Sequence, residues 1–382
     1  MSSLPEIPHD AFADSTENAA APLPPARPVL EEAVPPVGDP PGAQRVVRLG
    51  IDDPRWLRFL ESRPDATVFH HPAWSALVEE CYGFTPFAAC LLDGDSRVRA
   101  GLPVTEVRLL GRRRWVSVPY ADAITVLADD DGEQLVRGIL ALKDDAGVSR
   151  LDIHGRAVAP GLRLDARAVT HSLELPGSPE EVRSLLTAAT RRAVTRARRE
   201  NVTYRLSRER RDLTETFYAL HLVTRQRQGV PIQPRRFFDL FWEKIIAPGN
   251  GYVMVGEVEG EPVAAMVMMH WQRTVHYKFG ASNDVGRRVG ANFQLMLGAI
   301  EESCRAGFAH FDFGRSDLPN DGLRRYKSSF GAEEVPLLYS TTSLELEEVG
   351  SGRVGAMLAF GIKRTPPWVC RLTGEALYRF VA

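Results

Sequence analysis

Two side chains in the last third of the chain have the types and spacing for chemistry, a carboxylate and a lysine. Asp312 lies between two aromatic residues, so in a strand it points to the opposite face. Such a carboxylate orients an attacking amine or accepts its proton; alternatively, it is a structural acid paired with Arg315 or Arg325. Lys327 follows Arg324 and Arg325, and this cluster of cations suits a phosphate or an oxyanion. The alternative for Lys327 is a plain surface lysine.

The elements that must position these residues are predicted to be several strands and one helix. An apolar stretch, residues 252–279, predicts three strands, because Gly, Pro and polar residues interrupt it twice. A polar loop, residues 281–290, leads into a predicted helix, residues 292–306, which a glycine ends. A short strand, residues 308–313, and a charged loop, residues 314–331, follow. Ligands of α/β folds bind beyond the carboxyl ends of strands, where both side chains fall.

The first part of the chain repeats this order of elements. A strand pair with a glycine turn, residues 87–107, precedes another strand, a helix over residues 132–146 and a strand over residues 150–154. Leu151 to Arg156 echoes Phe311 to Arg315, since both place an aspartate between apolar residues. We therefore predict an internal duplication.

Length and composition indicate a globular protein. With 382 residues, 44% apolar and 25% charged, the chain exceeds one hydrophobic core, so two domains are expected. A net charge of -2 excludes a globally basic nucleic-acid binder, although not a local basic patch. The four cysteines lack metal-ligand spacing, which indicates reduced thiols, no metal and a cytoplasmic protein. No signal peptide or membrane span is predicted.

We predict four segments along the chain. Residues 1–44, rich in Pro and Ala, form a disordered tail, and residues 45–175 form an N-terminal α/β domain. Residues 176–345 form a C-terminal α/β domain, and residues 346–382 form a helical extension. In the extension, Trp368 and the interspersed arginines suit either a membrane surface or packing onto the domains.

A basic run follows a predicted helix, residues 178–199, between the two domains. From Arg191 to Arg211 there are nine arginines against Glu200 and Glu209. The run is either a solvated helix face or a surface for phosphates of RNA, a nucleotide or a lipid diphosphate.

Several separated motifs, in one order, carry a resemblance to a known family. They are Phe69 to Trp74, Ser117 to Tyr120, Tyr277 to Asn283, Asn292, Phe311 to Arg315 and Gly322 to Gly331. In these runs the chain resembles the Fem-type transferases. It is more similar still to their relatives with a BioF2-like acetyltransferase domain, which occur beside exosortase and exopolysaccharide systems.

The resemblance implies an α/β (α+β) fold with two tandem GNAT-like acyltransferase domains, each a mixed sheet flanked by helices. Fem-type enzymes move an aminoacyl group from a tRNA to an amine of a peptidoglycan precursor. There, the lysine that matches Lys327 holds the acceptor's phosphates or assists transfer. The chain departs from the pattern at Tyr326, which replaces Phe, and at Ala123-Ile124, which replaces a glycine pair. It also lacks the long helical arm associated with tRNA.

The competing donor is acyl-CoA. GNAT acetyltransferases hold the CoA pyrophosphate on backbone N–H groups of an R/Q-x-x-G-x-G/A loop at a helix N-terminus, where the helix dipole favours anions. Arg287, Arg288, Gly290 and Asn292 occupy the corresponding place and are predicted to bind the cofactor. Asn292 stands where the last small residue is expected, and alternatively it is a helix cap.

The predicted catalytic residues are Lys327, Asp312 and Tyr277. The predicted substrate-binding residues are Arg315, Arg325, Tyr326, Ser282, Asn283, His71, Trp74 and Tyr120. His71 is alternatively a helix-entry cap, and Ser282 and Asn283 alternatively close a turn. We expect N-acyl transfer to an amine of a cell-envelope or exopolysaccharide precursor, with peripheral contact to the inner membrane left open. The alternatives are aminoacyl transfer from tRNA and a non-catalytic binding module in polysaccharide assembly.

Overall fold

The structure is a computed structural model that describes residues 44–343 and 360–381. The predicted tail lies outside these residues except for Gln44, and so do residues 346–359 of the predicted extension. Twelve strands lie in the described part of the chain: β1 (Arg45–Leu49), β2 (Thr85–Leu92), β3 (Val98–Leu109), β4 (Arg112–Val116), β5 (Arg150–Ile153), β6 (Arg163–Glu174), β7 (Thr203–Ser207), β8 (Gly251–Val258), β9 (Glu261–Trp271), β10 (Thr274–Ser282), β11 (His310–Asp317) and β12 (Glu333–Thr341).

All twelve strands form one mixed sheet with the order β1-β2-β3-β4-β5-β12-β6-β11-β10-β9-β8-β7. Its two halves repeat one pattern, because β1 to β5 correspond to β7 to β11. In each half the last two of these strands are parallel, β4 with β5 and β10 with β11. Each half also lends a strand to the other, since β6 pairs with β11 and β12 pairs with β5. This order agrees with the predicted internal duplication.

Helices flank the sheet. They are α1 (Pro54–Glu61), α2 (Pro72–Tyr82), α3 (Gly132–Asp145), α4 (Pro179–Leu185), α5 (Ala188–Arg199), α6 (Tyr218–Gln228), α7 (Arg235–Phe241), α8 (Asp284–Val289), α9 (Ala291–Arg305), α10 (Asp321–Ser328) and α11 (Pro367–Leu377). A π-helical turn, Asp212–Phe217, precedes α6, and another, Trp242–Ile246, follows α7. A short 3-10 helix, Tyr378–Val381, follows α11.

The predicted helix over residues 178–199 is in fact two helices, α4 and α5. Leu186 leaves the helical conformation, and Thr187 begins α5 as its N-cap. The Thr187 hydroxyl accepts the backbone N–H of Thr190 at 3.3 Å, and its own N–H donates to the Ser329 carbonyl at 3.0 Å. Capping and this long-range bond therefore break the helix where its apolar period continues.

Two predicted loops contain helices. Residues 281–290 include α8, which Asn283 caps by accepting the backbone N–H of Gly286. Residues 314–331 include the end of β11 and all of α10, which Asn320 caps through the N–H of Leu323. Both helices are short and mostly polar, so they carry little apolar periodicity for a sequence-based prediction to detect.

Both faces of the second half of the sheet are buried. On β8, Val253 packs with one hydrophobic cluster and Met254 packs with the other. Phe217 and Phe238 cover the first face, and Leu295 of α9 lies in the cluster on the second. Covering both faces explains why these strands are nearly continuous apolar runs.

Candidate active site

The parallel strands β10 and β11 separate after three residue pairs. Their register ends at His276 opposite Asp312. Beyond that point each strand carries a β-bulge against its other neighbour: Lys278 is an extra residue against β9, and β11 has an extra residue between Asp312 and Arg315. The Lys278 side chain is only 5% exposed while the residue as a whole is half-buried, so its accessible part is backbone. The bulges thus open a cleft lined by main chain.

Asp312 lies at the apex of this cleft and is held by three groups. The Oδ2 atom of Asp312 lies 3.1 Å from His276 Nδ1. The Oδ1 atom of Asp312 accepts the N–H of Gly314 at 2.7 Å and the hydroxyl of Thr170 at 3.2 Å. Burial alone would raise the pKa of Asp312, but the bond to His276, the Gly314 N–H and the charge of Lys327 together hold it below its usual range. The carboxylate is therefore ionised at neutral pH.

The alternative that Asp312 pairs with Arg315 or Arg325 is wrong. Arg315 binds Asp317 at 2.7 Å and the Tyr339 hydroxyl at 2.8 Å. Arg325 is exposed and donates to the backbone carbonyl of its own helix at Asp321. Their predicted roles in substrate binding stay predictions.

Lys327 is buried, so the alternative of a plain surface lysine is wrong, while its predicted contact with a phosphate or an oxyanion stays a prediction. It lies on α10 with 2% of its surface exposed, and its Nζ donates to the carbonyls of Gly314 at 2.7 Å and Arg315 at 2.9 Å. Burial lowers the pKa of Lys327 to about 8, although neighbouring carboxylates, first Asp122, oppose the shift. Lys327 thus secures the bulged part of β11, and the structure does not place it as a surface lysine.

A carboxylate from the first half of the chain also reaches the cleft. Asp122 accepts Lys278 Nζ at 3.1 Å, and the same Nζ donates to the carbonyl of Tyr120 at 2.8 Å. A Cβ on Gly314, whose φ is +68°, would lie 2.7 Å from Asp122 Oδ2. Asp122 and Asp312 therefore both lie close to Gly314. Only the glycine leaves room for this approach.

Neither Asp122 nor His276 was predicted as a site residue. Asp122 follows β4, the strand of the first half that corresponds to β10, so strand-end reasoning applied to both halves would have found it. His276 gave no local signal, because its position beside Asp312 depends on the parallel register of β10 and β11. Its Nε2 is buried without a hydrogen-bond partner among the described residues.

The corresponding opening in the first half is filled by its own chain. Beyond β4 and β5, the N–H of Ile124 donates to the carbonyl of His154 at 2.9 Å. A Cβ on Gly155 would lie only 2.1 Å from the Ile124 carbonyl oxygen. The cleft between β10 and β11 is therefore the candidate site.

Tyr277, Tyr326 and Ser282 support the walls of the cleft. The Tyr277 ring covers Gly280, where a Cβ would lie 1.8 Å from its hydroxyl, and burial raises its pKa. The Tyr326 hydroxyl donates to the Asn292 carbonyl at 2.9 Å, which ties α10 to the start of α9. Ser282 Oγ accepts the Asn292 side chain at 3.2 Å. The structure gives each of them a packing role, and their predicted chemical roles stay predictions.

The predicted pyrophosphate loop is α8 followed by Gly290, which has a φ of +80° and lies between α8 and α9. Asn292 does not cap α9, because Gly290 holds that position. A Cβ on Gly290 would lie 3.3 Å from an Arg196 guanidinium nitrogen, so α5 covers the N-terminus of α9. Arg287 and Arg288 are exposed beside it. Gly290 and Ala291 are buried at this helix end, and the predicted cofactor-binding roles of this loop stay predictions.

His71, Trp74 and Tyr120 lie in the packing between elements. His71 caps α2 by accepting the N–H of Ala73 at 3.2 Å, as the alternative for this residue expected. Trp74 is fully buried and donates to the Pro119 carbonyl at 3.1 Å. The Tyr120 hydroxyl donates to the Tyr378 carbonyl at 3.2 Å. Their placement does not bring these side chains to Asp312.

The arginine run divides into two parts. In its second part three arginines bind carboxylates: Arg205 binds Asp212 at 2.6 Å, Arg210 binds Asp239 at 2.6 Å, and Arg211 binds Glu215 at 3.5 Å. In its first part, five arginines of α5 are exposed: Arg191, Arg192, Arg196, Arg198 and Arg199. Of these, Arg198 binds Gln294 of α9 at 3.2 Å.

Comparison with protein families identifies the second half of the chain. The model of the acetyltransferase (GNAT) domain matches residues 181–328, which include β10, β11, Asp312 and Lys327. These residues are a GNAT acetyltransferase domain. The match covers less than half of the chain, and the solved structures described next concern its fold. No curated protein matches the chain significantly.

Solved structures share its fold over most of their length. FemX has a TM-score of 0.63 at 12% identity, over 78% of this chain and 96% of that one. The C-terminal domain (DUF2156) of a putative lysylphosphatidylglycerol synthetase from Agrobacterium fabrum has a TM-score of 0.50 at 15% identity, over 80% of this chain and 94% of that one. L-PGS from Bacillus licheniformis has a TM-score of 0.50 at 14% identity, over 83% of this chain and 98% of that one. At such identities the similarity concerns the fold alone.

Two further observations apply to residues 44–343 and 360–381. No helix there is long and apolar enough to cross a bilayer. No group of three or more His, Cys, Asp or Glu side chains there is placed to hold a metal ion.

Proposed function

We propose that the chain transfers an acyl group from acyl-CoA to an amine of a cell-envelope or exopolysaccharide precursor. The observation that carries this proposal is the cleft between β10 and β11, with the ionised Asp312 at its apex. Where parallel strands part, their N–H groups lose their partners and can donate to an acyl carbonyl oxygen. The accessible backbone at Lys278 lies along this cleft.

In the proposed step the amine attacks the acyl carbon, a C–N bond forms, the C–S bond breaks and the CoA thiolate leaves. Asp312 is a weak base because its pKa is held low, so its role is to bind and orient the amine. The proton that the amine loses passes to the CoA thiolate, which leaves as the thiol, and Asp122 holds Lys278 beside the cleft. Lys327 keeps the bulge in place through the Gly314 and Arg315 carbonyls.

The donor's phosphates are assigned to the N-terminus of α9. Gly290 and Ala291 are buried there, so the phosphates are held by the side chains of Arg196, Arg287 and Arg288. The helix dipole adds to this attraction. This arrangement replaces the backbone cradle expected from the sequence.

A second candidate is aminoacyl transfer from tRNA. The exposed arginines of α5 favour it, because such a row suits a phosphate backbone. One of the similar structures is named for a putative synthetase of lysylphosphatidylglycerol, a lipid that carries an aminoacyl group. A non-catalytic binding module is disfavoured by the two carboxylates brought to one cleft from separate halves.

Thermal unfolding with acetyl-CoA tests the donor. A ligand that binds only the folded state at a hundred times its Kd adds about 2.7 kcal/mol of stability. We expect this stabilisation in the wild type and its loss in Arg196→Glu, because the substitution places a negative charge beside the phosphates. Arg211→Glu is the matched control, since Arg211 belongs to the same run but binds Glu215 instead.

Asp312→Asn separates binding from transfer. It should keep the stabilisation by acetyl-CoA but slow thiol release with amine acceptors by about a hundredfold. Equal losses in both arginine variants, or no stabilisation at all, would contradict the acyl-CoA donor. Tight, salt-dependent binding of aminoacyl-tRNA in its place would favour the second candidate.

A further inference from the structure

The hydrogen bonds that hold Asp312 leave one acceptor position of its carboxylate open. Oδ1 accepts two donors, the N–H of Gly314 at 2.7 Å and the hydroxyl of Thr170 at 3.2 Å. Among the described residues, Oδ2 has one polar contact, with His276 Nδ1 at 3.1 Å. Each oxygen of an ionised carboxylate accepts about two hydrogen bonds. Oδ1 is therefore saturated, whereas Oδ2 has room for one more donor, and the side chain is 24% exposed.

His276 is buried beside this oxygen. Its side chain is 6% exposed and packs edge-on against the Phe69 ring, with 5.4 Å between the ring centroids. Its Nε2 has no hydrogen-bond partner among the described residues. A bare Nε2 leaves one acceptor unsatisfied in this pocket, whereas a proton on Nε2 would either charge the ring or remove the donor from Nδ1. The ring proton therefore lies on Nδ1, where the ionised Asp312 accepts it.

The titratable and charged groups around the pair leave this arrangement intact. His70 accepts the N–H of Thr67 on Nδ1 at 3.0 Å, and its Nε2 lies 2.8 Å from the Thr125 carbonyl. Burial lowers the pKa of His70 to about 4, so this second imidazole is neutral and both of its nitrogens are occupied. The charge of Lys327 favours the ionised carboxylate. Neither group takes the place of His276 at Oδ2.

Asp312 has one buried and one exposed neighbour on its face of the sheet. Residues paired across neighbouring strands point to the same face. The partner on β10 is His276, which is buried, and the partner on β6 is Ser172, which is exposed. The preceding pair, Phe311 and Leu173, points to the other face and is buried. The open position on Oδ2 is therefore reached from solvent across β6.

We propose that His276 is the positioning residue of the acceptor site. Its Nδ1–H fixes Oδ2 of Asp312, so that the remaining acceptor position of this oxygen binds an N–H of an amine that arrives over Ser172. The nitrogen lone pair of the amine then stays free to attack the acyl carbon. This inference rests on the proposed function, and it adds the atom that binds the amine and the side from which the amine enters.

Two substitutions of His276 test the positioning role through thiol release from acetyl-CoA with glucosamine as the amine. Asn places an amide nitrogen where Nδ1 lies, and Gln places one where Nε2 lies. His276→Gln should lower kcat/KM for glucosamine about tenfold, because the carboxylate loses its orientation, and His276→Asn should stay within about threefold of the wild type. Both variants should keep the stabilisation by acetyl-CoA.

A double variant shows whether His276 acts through Asp312. In the Asp312→Asn background, His276→Gln should cause no further loss of kcat/KM, since the group that it positions is already gone. A merely structural role would multiply the two losses.

A bulky side chain on β6 tests the entry of the amine. Ser172→Phe should raise KM for glucosamine about tenfold and leave the stabilisation by acetyl-CoA unchanged, because it crowds the route to Oδ2 without touching the buried pair. Thr203→Phe is the matched control, since Thr203 is an exposed strand residue of β7 at the edge of the sheet, and it should change neither quantity.

Nitrogen NMR of histidine-labelled protein at neutral pH locates the ring proton without any substrate. The chain has nine histidines, and the signals missing in His276→Asn assign those of His276. We expect a protonated Nδ1 and a bare Nε2. A bare Nδ1 or a doubly protonated ring would overturn the inference. Equal losses in the Asn and Gln variants, multiplied losses in the double variant, or an unchanged KM in Ser172→Phe would do the same. If the wild type releases no thiol, the proposed function fails, and the NMR result by itself decides the assignment of His276.

Discussion

At the scale of single residues, the candidate site depends on two groups, Asp312 and Lys327, whose pKa values are both lowered. The lower pKa favours the charged form of the carboxylate and the neutral form of the amine. Three groups stabilise the ionised form of Asp312, whereas burial favours the neutral form of Lys327. A carboxylate held this way is a fixed negative charge that suits binding an amine better than deprotonating it. Lys327 acts on the shape of the cleft through the two carbonyls it binds, and its predicted contact with the substrate stays a prediction.

The shifted pKa of Lys327 predicts a pH dependence of stability. In the folded chain the amine loses its proton near pH 8, against an ordinary value of 10.5. Between these values the unfolded chain binds more protons, so the free energy of unfolding rises with pH, by about 3 kcal/mol in total. Below pH 8 the cost of the buried charge is fully present.

Lys327→Met removes this titration. Urea unfolding of both proteins at pH 7 and at pH 10 should show the wild type gaining stability relative to the variant as pH rises. A difference that is equal at the two pH values would mean that the lysine titrates normally.

At the scale of elements, the site is made by two bulged strands. The register shifts in β10 and β11 end their pairing and turn backbone groups toward the cleft. Gly314 is the residue on which this geometry depends, because its φ is +68° and both aspartates approach it.

Gly314→Ala should destabilise the protein and lower acyl transfer. The new Cβ would meet Asp122 Oδ2 at 2.7 Å and the Tyr277 carbonyl at 3.3 Å. Gly307→Ala is the matched control, since its φ is +78° and no atom lies within 4 Å of the new Cβ. Both variants incur the left-handed cost of about 1 kcal/mol, and only Gly314→Ala adds the clash. Equal unfolding free energies and equal activities would contradict this account.

At the scale of the whole molecule, the two halves of the duplication have different tasks. The cleft lies in the second half, between β10 and β11. In the first half the corresponding space is filled by residues of the same half, and Asp122 of that half lies beside Gly314 and Lys278 at the cleft. Lys278 joins the halves, because it binds Asp122 and lies 5.0 Å and 4.9 Å from the rings of Phe69 and Trp74. Strands β6 and β12, exchanged between the halves, add to this connection.

A double-mutant cycle should measure the coupling between the halves. With Lys278→Met, Asp122→Asn and both together, urea unfolding should give an interaction energy of about 1–3 kcal/mol, because the pair is largely buried. The exposed pair Arg137 and Glu133 is the control, expected to couple by about 0.5 kcal/mol or less. Equal coupling in the two pairs would mean that the contact between the halves is as weak as a surface ion pair.

The sequence by itself determined the elements around the site and their order, but not the strands β1, β6, β7 and β12 or the helices α8 and α10. Glycine at left-handed positions ended the helices at Gly83 and Gly307, and continuous apolar runs predicted β8, β9 and β10, because these signals depend on a few neighbouring residues. The repeated pattern also indicated a duplication. The motif that includes Asp312 and Lys327 further indicated the region of the site before any contact was known.

Only the tertiary structure decided which side chains meet. The parallel register of β10 and β11 places His276 beside Asp312, and the arrangement of the halves brings Asp122 to Lys278, 156 residues away in sequence. Burial of Lys327 likewise depends on α10 packing against β11. Such contacts follow from long-range packing, which local propensity and periodicity do not encode.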